Sequence, residues 1–271
     1  MSDAALERIA DALERMAPPP APAADPKAHA AYRWDGDTLH AASGFAPLPV
    51  TLLTGIDRQK AAAMQNIRRH ADGAAAHDML LWGARGMGKS ALVKLAVASL
   101  QDHSAAIALV EAPAAQLDTL PKLFTLLSQA DRRFLVFIDD IGFESANAEA
   151  RSLRSMLEGG AEERPGNIRL AVTSNRRNIL ERVHGNDADL PGGRDERDDA
   201  LALADRFGIK LGFQYPDQET WLAMVAAYVA HFDLAWETED ALAFAHGRGG
   251  RSGRIAWHYA VELAGRAGKN I

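Results

Sequence analysis

The 271-residue chain contains no cysteine, which excludes disulfide bridges, thiolate metal centres and thiol-based catalysis. That composition is compatible with a reducing compartment. There is no excess of positive charge either: 30 Lys and Arg stand against 36 Asp and Glu, a formal net charge of −6. The molecule as a whole therefore lacks the positive field of a nucleic-acid or anionic-membrane binder, although local basic patches are allowed. The basic pairs Arg68-Arg69 and Arg132-Arg133 are too scattered to indicate DNA binding. No apolar run approaches the roughly 18 residues of a membrane span, and the acidic N-terminus lacks the apolar segment of a secretory signal. A cytoplasmic protein with no membrane partner is expected. No internal repeat is evident. What is present is ordinary for a globular protein, 48% hydrophobic and 24% charged residues, in a chain long enough for one large α/β domain and a smaller one.

Residues 83 to 90 read Gly-Ala-Arg-Gly-Met-Gly-Lys-Ser and satisfy the phosphate-loop pattern at Gly83, Gly88, Lys89 and Ser90. An apolar strand, Met79 to Trp82, enters the loop, and a helical pattern with Leu92, Leu95, Ala96 and Leu100 leaves it. Glycines allow a tight turn whose N–H groups point inward at phosphate oxygens, and the following helix adds its positive dipole end. The loop, Gly83 through Ala91 (Gly83, Ala84, Arg85, Gly86, Met87, Gly88, Lys89, Ser90, Ala91), is thus expected to hold a nucleoside triphosphate. Lys89 would supply a cation for the β- and γ-phosphates, and Ser90 a hydroxyl for Mg²⁺.

The rest of the chain organises around that loop. Residues 1–17 carry Leu6, Ile9, Leu13 and Met16 at helical spacing, an amphipathic leader helix that either docks on a partner or frays. A Pro/Ala-rich linker follows over 18–31, because its prolines oppose both helix and sheet. Tyr32, Trp34 and Leu39, interrupted by Asp35-Gly36, suggest a small hairpin or a wrapped segment. Apolar strands near 79–82, 107–110, 134–138, 168–173 and 209–213 alternate with helices near 57–69, 120–130 and 147–158, the pattern of a parallel sheet covered on both faces. The polar, glycine-containing segment 185–199 reads as a surface loop, either a spacer or a partner-reading element. From Asp217 onward the periodicity is purely helical. An α/β core over 32–215 and a helical lid over 216–271 are expected.

Four further features converge on the same chemistry. The strand ending Ile138-Asp139-Asp140 is a Walker B element: Asp139 is placed to hold Mg²⁺, and Asp140 to orient or deprotonate an attacking water. Asp140 stands where a Glu is usual, so Glu144 could assist, or turnover could be slow. Asn175, after the strand at 168–173, is placed to bond that water or the γ-phosphate; the plainer reading is a turn cap. Arg206, just before the last strand, suits an arginine finger reaching a neighbouring subunit's nucleotide, with Arg176 and Arg177 as competitors and a simple Arg–Asp pair as the alternative. Arg254 opens the last helix behind Ser252, a plausible N-cap. A cation there opposes the helix dipole, which makes sense if it faces a phosphate; with Arg248 and Arg251 it could equally be a solvated patch.

The strings Leu81–Ser90, Ile138-Asp-Asp140, Leu157–Gly160, Thr173–Arg177, Asp205–Gly208 and Arg251–Arg254 resemble the bacterial family called domain of unknown function 815, an AAA+ P-loop ATPase family, over roughly residues 32 to 265. The resemblance implies an AAA+ P-loop NTPase core with a parallel sheet of order 5-1-4-3-2 and a C-terminal helical lid. It makes Asn175 similar to sensor 1, Arg206 to the arginine finger, Arg254 to sensor 2, and Leu53 and Ile56 part of the adenine pocket. A Mg-dependent ATPase is expected, homo-oligomeric when ATP-bound, with Lys89, Asp140, Asn175, Arg206 and Arg254 as its catalytic set and a protein or nucleic acid as partner. Two other functions compete. One is a nucleotide-dependent switch or loader that hydrolyses little, and the other a small-molecule P-loop kinase, which the helical C-terminus disfavours.

Overall fold

A computed structural model of the chain describes Arg8 and residues 23–45, 48–142, 152–154, 156–157, 164–175 and 202–271. The leader helix (Arg8 apart), Glu144, Arg176, Arg177 and the 185–199 segment lie outside the described residues. Of the helix expected over 147–158, the described residues 152–154 and 156–157 are helical.

The continuous apolar runs form strands β3 (Met79–Gly83), β4 (Ile107–Glu111), β5 (Arg133–Ile138), β6 (Ile168–Ser174) and β7 (Ile209–Phe213). All pair in parallel. Including the hairpin β1 (Ala31–Trp34) and β2 (Leu39–Ala41), the sheet order is β2-β1-β4-β5-β6-β3-β7. Numbered among themselves, the five core strands have the expected order; the difference in detail is the two-strand extension at the β4 edge. There β1 runs parallel to β4, with Ala31 opposite Leu109 and Arg33 opposite Glu111. The hairpin turn is held by Asp35, whose carboxylate accepts from the N–H groups of Asp37 and Thr38 at 3.0 and 2.8 Å. Part of the presumed linker is tied to this edge. Ala24 N–H donates to the Leu39 carbonyl at 2.8 Å, and the Arg132 guanidinium donates to the carbonyls of Lys27 and His29 at 3.2 and 2.7 Å.

Side chains alternate across the sheet, as the two-residue strand period requires. Met79, Leu81, Leu135 and Phe137 join one core cluster. Leu80, Phe134, Val136 and Ile138 join the other. The first face is covered by α1 (Asp57–Ala71) and α2 (Lys89–Gln101), the second by α3 (Leu120–Ser128). The first cluster continues into three further helices, α4 (Gln218–His231), α5 (Thr238–Gly247) and α6 (Gly253–Arg266), through Trp221, Met224 and Tyr259. Among the described residues no helix is long and apolar enough to cross a membrane.

One buried group makes stability pH-dependent. His70 on α1 is 2% exposed and its Nε2 bonds the Phe134 carbonyl at 3.0 Å. Burial pushes its pKa down to about 4. The folded value lies below the unfolded one, so the unfolded chain binds the extra proton, and stability is lost as pH falls from about 6.5 toward 4. Denaturant unfolding at pH 7.5 and pH 5 should show this group alone costing about 2 kcal/mol. His70→Gln, which can still donate to the carbonyl without titrating, should flatten that part of the profile.

Candidate functional site

At the C-terminal end of β3 the chain turns sharply. Gly83 has φ +118°, and a Cβ there would lie 2.2 Å from the Phe213 carbonyl oxygen, so only glycine permits the contact of β3 with β7. The next residues form the loop, and α2 starts at Lys89 behind Gly88. Lys89 is 5% exposed. Its ammonium donates to the carbonyls of Gly83 and Ala84 at 2.9 and 2.8 Å and to Asn175 Oδ1 at 2.9 Å. Burial lowers its pKa to about 8; Asp140 and Asp139 pull the value up, while Arg85 and Arg254 push it down.

The Walker B end of β5 is fastened to its neighbours. Ser90 Oγ donates to Asp139 Oδ1 at 2.7 Å, and Thr173 Oγ1 donates to the same oxygen. Thr173 Oγ1 in turn accepts from the Asp140 N–H at 2.8 Å. Asp140 has φ +56°, a region a non-glycine residue seldom occupies and which Asp tolerates better than most. Its carboxylate accepts from Asn175 Nδ2. Lys89, Asn175 and Asp140 thus form one hydrogen-bonded relay. Thr173, buried on β6, thus fastens the Asp139 carboxylate and the Asp140 backbone; in the sequence it is an ordinary strand residue.

The C-terminal helices close over this end. Ser252 caps α6 by accepting from Ile255 N–H at 3.3 Å, as expected from the sequence. The fully buried Trp221 of α4 donates to the Ser252 carbonyl at 3.1 Å. Arg254 N–H donates to the Gly86 carbonyl at 2.9 Å, so the start of α6 rests on the phosphate loop. Between loop and helices lies a cavity of about 530 Å³. Its polar lining includes Lys89, Ser90, Asp139, Asp140, Asn175 and Arg254; its apolar lining includes Leu53, Ile56, Met224, Tyr228 and Trp257. Met224 and Tyr228 lie on α4 and Trp257 on α6, in the segment that the sequence marks only as helical.

Most of the expected site residues meet here, including the stretch Arg85 to Ala91. Gly83 and Ala84 do not line the cavity. They stand behind it, where their carbonyls hold the lysine. Arg251 and Arg248 also face elsewhere: Arg251 bonds Gln218 at 2.9 Å, and Arg248 stacks on Phe244 at 4.7 Å. Arg206 lines a separate polar cleft with Asp78, Arg164 and Arg169. That cleft sits where β3, β6 and β7 begin, whereas the loop sits where they end; the five-residue strands β3 and β7 separate the two by about 16 Å. Arg206 therefore cannot serve the cavity of its own chain.

The donor set suits a hard divalent cation. Ser90 and Asp139 converge at 2.7 Å and offer two oxygens, leaving the other positions of a Mg²⁺ octahedron to phosphate and water. Among the described residues no group of three or more His, Asp or Glu could hold a metal by itself.

No curated protein sequence matches the chain. Among solved structures, the RuvB Holliday junction branch migration motor of Thermotoga maritima aligns over 83% of this chain and 68% of its own, at 16% identity and TM-score 0.51. The ORC1 protein of Aeropyrum pernix, in complex with DNA, aligns over 81% and 63% at 14% identity and TM-score 0.58. The ORC2 protein of the same organism, with ADPNP and ADP, aligns over 84% and 66% at 15% identity and TM-score 0.53. The shared feature is the AAA+ core fold. The family described as "Protein of unknown function (DUF815)" matches residues 27–267, from the segment that ties down the hairpin to the end of the last helix, and the chain belongs to it.

Proposed function

We propose that this protein is a Mg-dependent AAA+ ATPase that couples ATP binding and hydrolysis to the remodelling or loading of a macromolecular partner. The observation that carries this reading is the convergence of Lys89, Ser90, Asp139, Asp140, Asn175 and Arg254 on one cavity that is also lined by apolar side chains. The adenine would lie between Leu53 and Ile56 on one side and Tyr228 and Trp257 on the other, with the phosphates along the loop. Ser90 and Asp139 would hold Mg²⁺, which neutralises charge between the β- and γ-phosphates. Lys89 would exchange carbonyl partners for phosphate oxygens. Asp140 would take a proton from the attacking water as its oxygen bonds the γ-phosphorus and the bridge to the β-phosphate breaks. Arg206, too far for its own cavity, would act on the cavity of an adjacent copy in an ATP-bound homo-oligomer. Since RuvB is a branch migration motor and the ORC1 structure holds DNA, a protein or nucleic-acid partner is the class to seek.

Calorimetry on the whole chain tests the binding step. Mg-ATP should bind, and Lys89→Ala should abolish measurable binding. The free lysine has a pKa of about 8. Phosphate contact favours its charged form, so binding should take up about one proton at pH 9 and almost none at pH 7. Affinity should be full below pH 8 and fall about tenfold per unit above it. Absence of Mg-ATP binding by the unaltered chain would end the proposal. A second reading, a switch that hydrolyses little, is favoured by one observation: the Asp140 carboxylate is already engaged by Asn175.

A further inference from the structure

The phosphate-loop pattern constrains glycines, the lysine and the hydroxyl, and leaves the residue at 85 free; here it is arginine. Its place in the loop is distinctive. Gly83, Ala84 and Met87 are buried, Ala84 3% and Met87 4% exposed, and Gly86 and Gly88 have no side chain. Arg85 is thus the one residue between Gly83 and Lys89 whose side chain stands exposed at the cavity. Among the described residues it makes no hydrogen bond or ion pair, and no described carboxylate neutralises it. The loop also sets Arg85 beside the lid. Gly86, its neighbour, accepts from Arg254 N–H at 2.9 Å, and a Cβ on Gly86 would lie 3.1 Å from Arg254 Cβ. The charges of Arg85 and Arg254 are both felt at the Lys89 ammonium, which bonds Asn175 at the cavity.

Three cations, Arg85, Lys89 and Arg254, therefore face two carboxylates, Asp139 and Asp140. Confining that excess of like charge without a ligand is unfavourable, and an anion with several oxygens relieves it. A guanidinium is suited to such a role, since its planar fork of donors can engage two phosphate oxygens at once. We propose that Arg85 is a further phosphate-binding residue whose guanidinium engages the γ-phosphate of ATP from within the same chain. This rests on the cavity being an ATP site. The backbone of the loop and Lys89 would hold ADP and ATP alike, whereas Arg85 would distinguish them. Part of the positive charge at the transferring group would then come from the chain itself, and the remainder from the neighbouring copy.

The test is a titration of the full chain and its Arg85→Ala and Arg85→Lys variants with Mg-ADP and with the non-hydrolysable analogue Mg-AMP-PNP. Arg85→Ala should weaken the triphosphate analogue roughly ten- to hundredfold and ADP by less than about threefold, with Arg85→Lys between. The melting midpoint of the nucleotide-free Arg85→Ala variant should be unchanged or slightly raised, because Arg85 bonds nothing described in the free chain and its removal relieves like-charge repulsion. Equal weakening of both nucleotides, no change in either, or a midpoint lowered by several degrees would overturn the assignment while leaving the ATP site in place. Failure of the unaltered chain to bind either nucleotide would overturn both.

Discussion

Asp140→Asn is expected to bind Mg-ATP about as well as the unaltered chain while hydrolysing it some two to four orders of magnitude more slowly. The substitution is unusually clean here. Asp140 sits at φ +56°, and Asn tolerates that region as Asp does. The N–H bonded to Thr173 Oγ1 at 2.8 Å is a backbone group and is retained. The amide oxygen can still accept from Asn175, so the Lys89–Asn175–Asp140 relay is preserved in outline. What is lost is a carboxylate able to take a proton. Steady-state phosphate release alongside a binding titration separates the two effects. Turnover within a fewfold of the unaltered chain would place the base elsewhere, with Glu144 the first alternative; unmeasurable turnover in the unaltered chain would favour the switch.

Arg206→Ala should be the other large effect, about a thousandfold loss of turnover or more with ATP affinity nearly unchanged. The physical reason is the length of the strands. Arg206 lies at the end where β3 and β7 begin, the phosphate loop at the end where they finish, and the chain's own nucleotide is out of reach. Its neighbour Asp205 is engaged by Lys210 at 2.5 Å. The measurement is ATPase rate against protein concentration, with a thermal melt as control. A full rate in the variant would remove the finger. A loss of rate matched by a large drop in melting midpoint would make the residue structural.

The legible parts of this molecule are those where local chemistry dictates form. The core strands announce themselves because a parallel strand buried on both faces must be apolar throughout, as Phe134 to Ile138 are. The Asp35-Gly36 turn likewise marks the hairpin. Its parallel addition to β4 was not legible, since register between segments about 75 residues apart leaves no local trace. The same limit governs the site. Lys89, Ser90 and Asp139 follow from motifs, and Arg254 from a cation placed against a helix dipole. Thr173 was hidden because threonine is an ordinary strand residue, and only the pairing of β6 with β5 brings its hydroxyl to the Asp139 carboxylate and the Asp140 N–H. Tyr228 and Trp257 were hidden by helical periodicity, which marks a face as apolar without saying whether protein or ligand covers it. Gly83 and Ala84 show the reverse case. They belong to the motif, yet their work is to support the lysine and to let two strands meet.

The most direct test of a site shared between copies is to mix the two inactive variants, Asp140→Asn and Arg206→Ala, and measure ATP hydrolysis. In a mixed assembly an Arg206→Ala subunit retains its own Asp140 and can receive Arg206 from an Asp140→Asn neighbour. At equal amounts about one interface in four should be complete, and activity should reappear on mixing in roughly that proportion. A mixture no more active than the sum of its separate components would contradict a shared site.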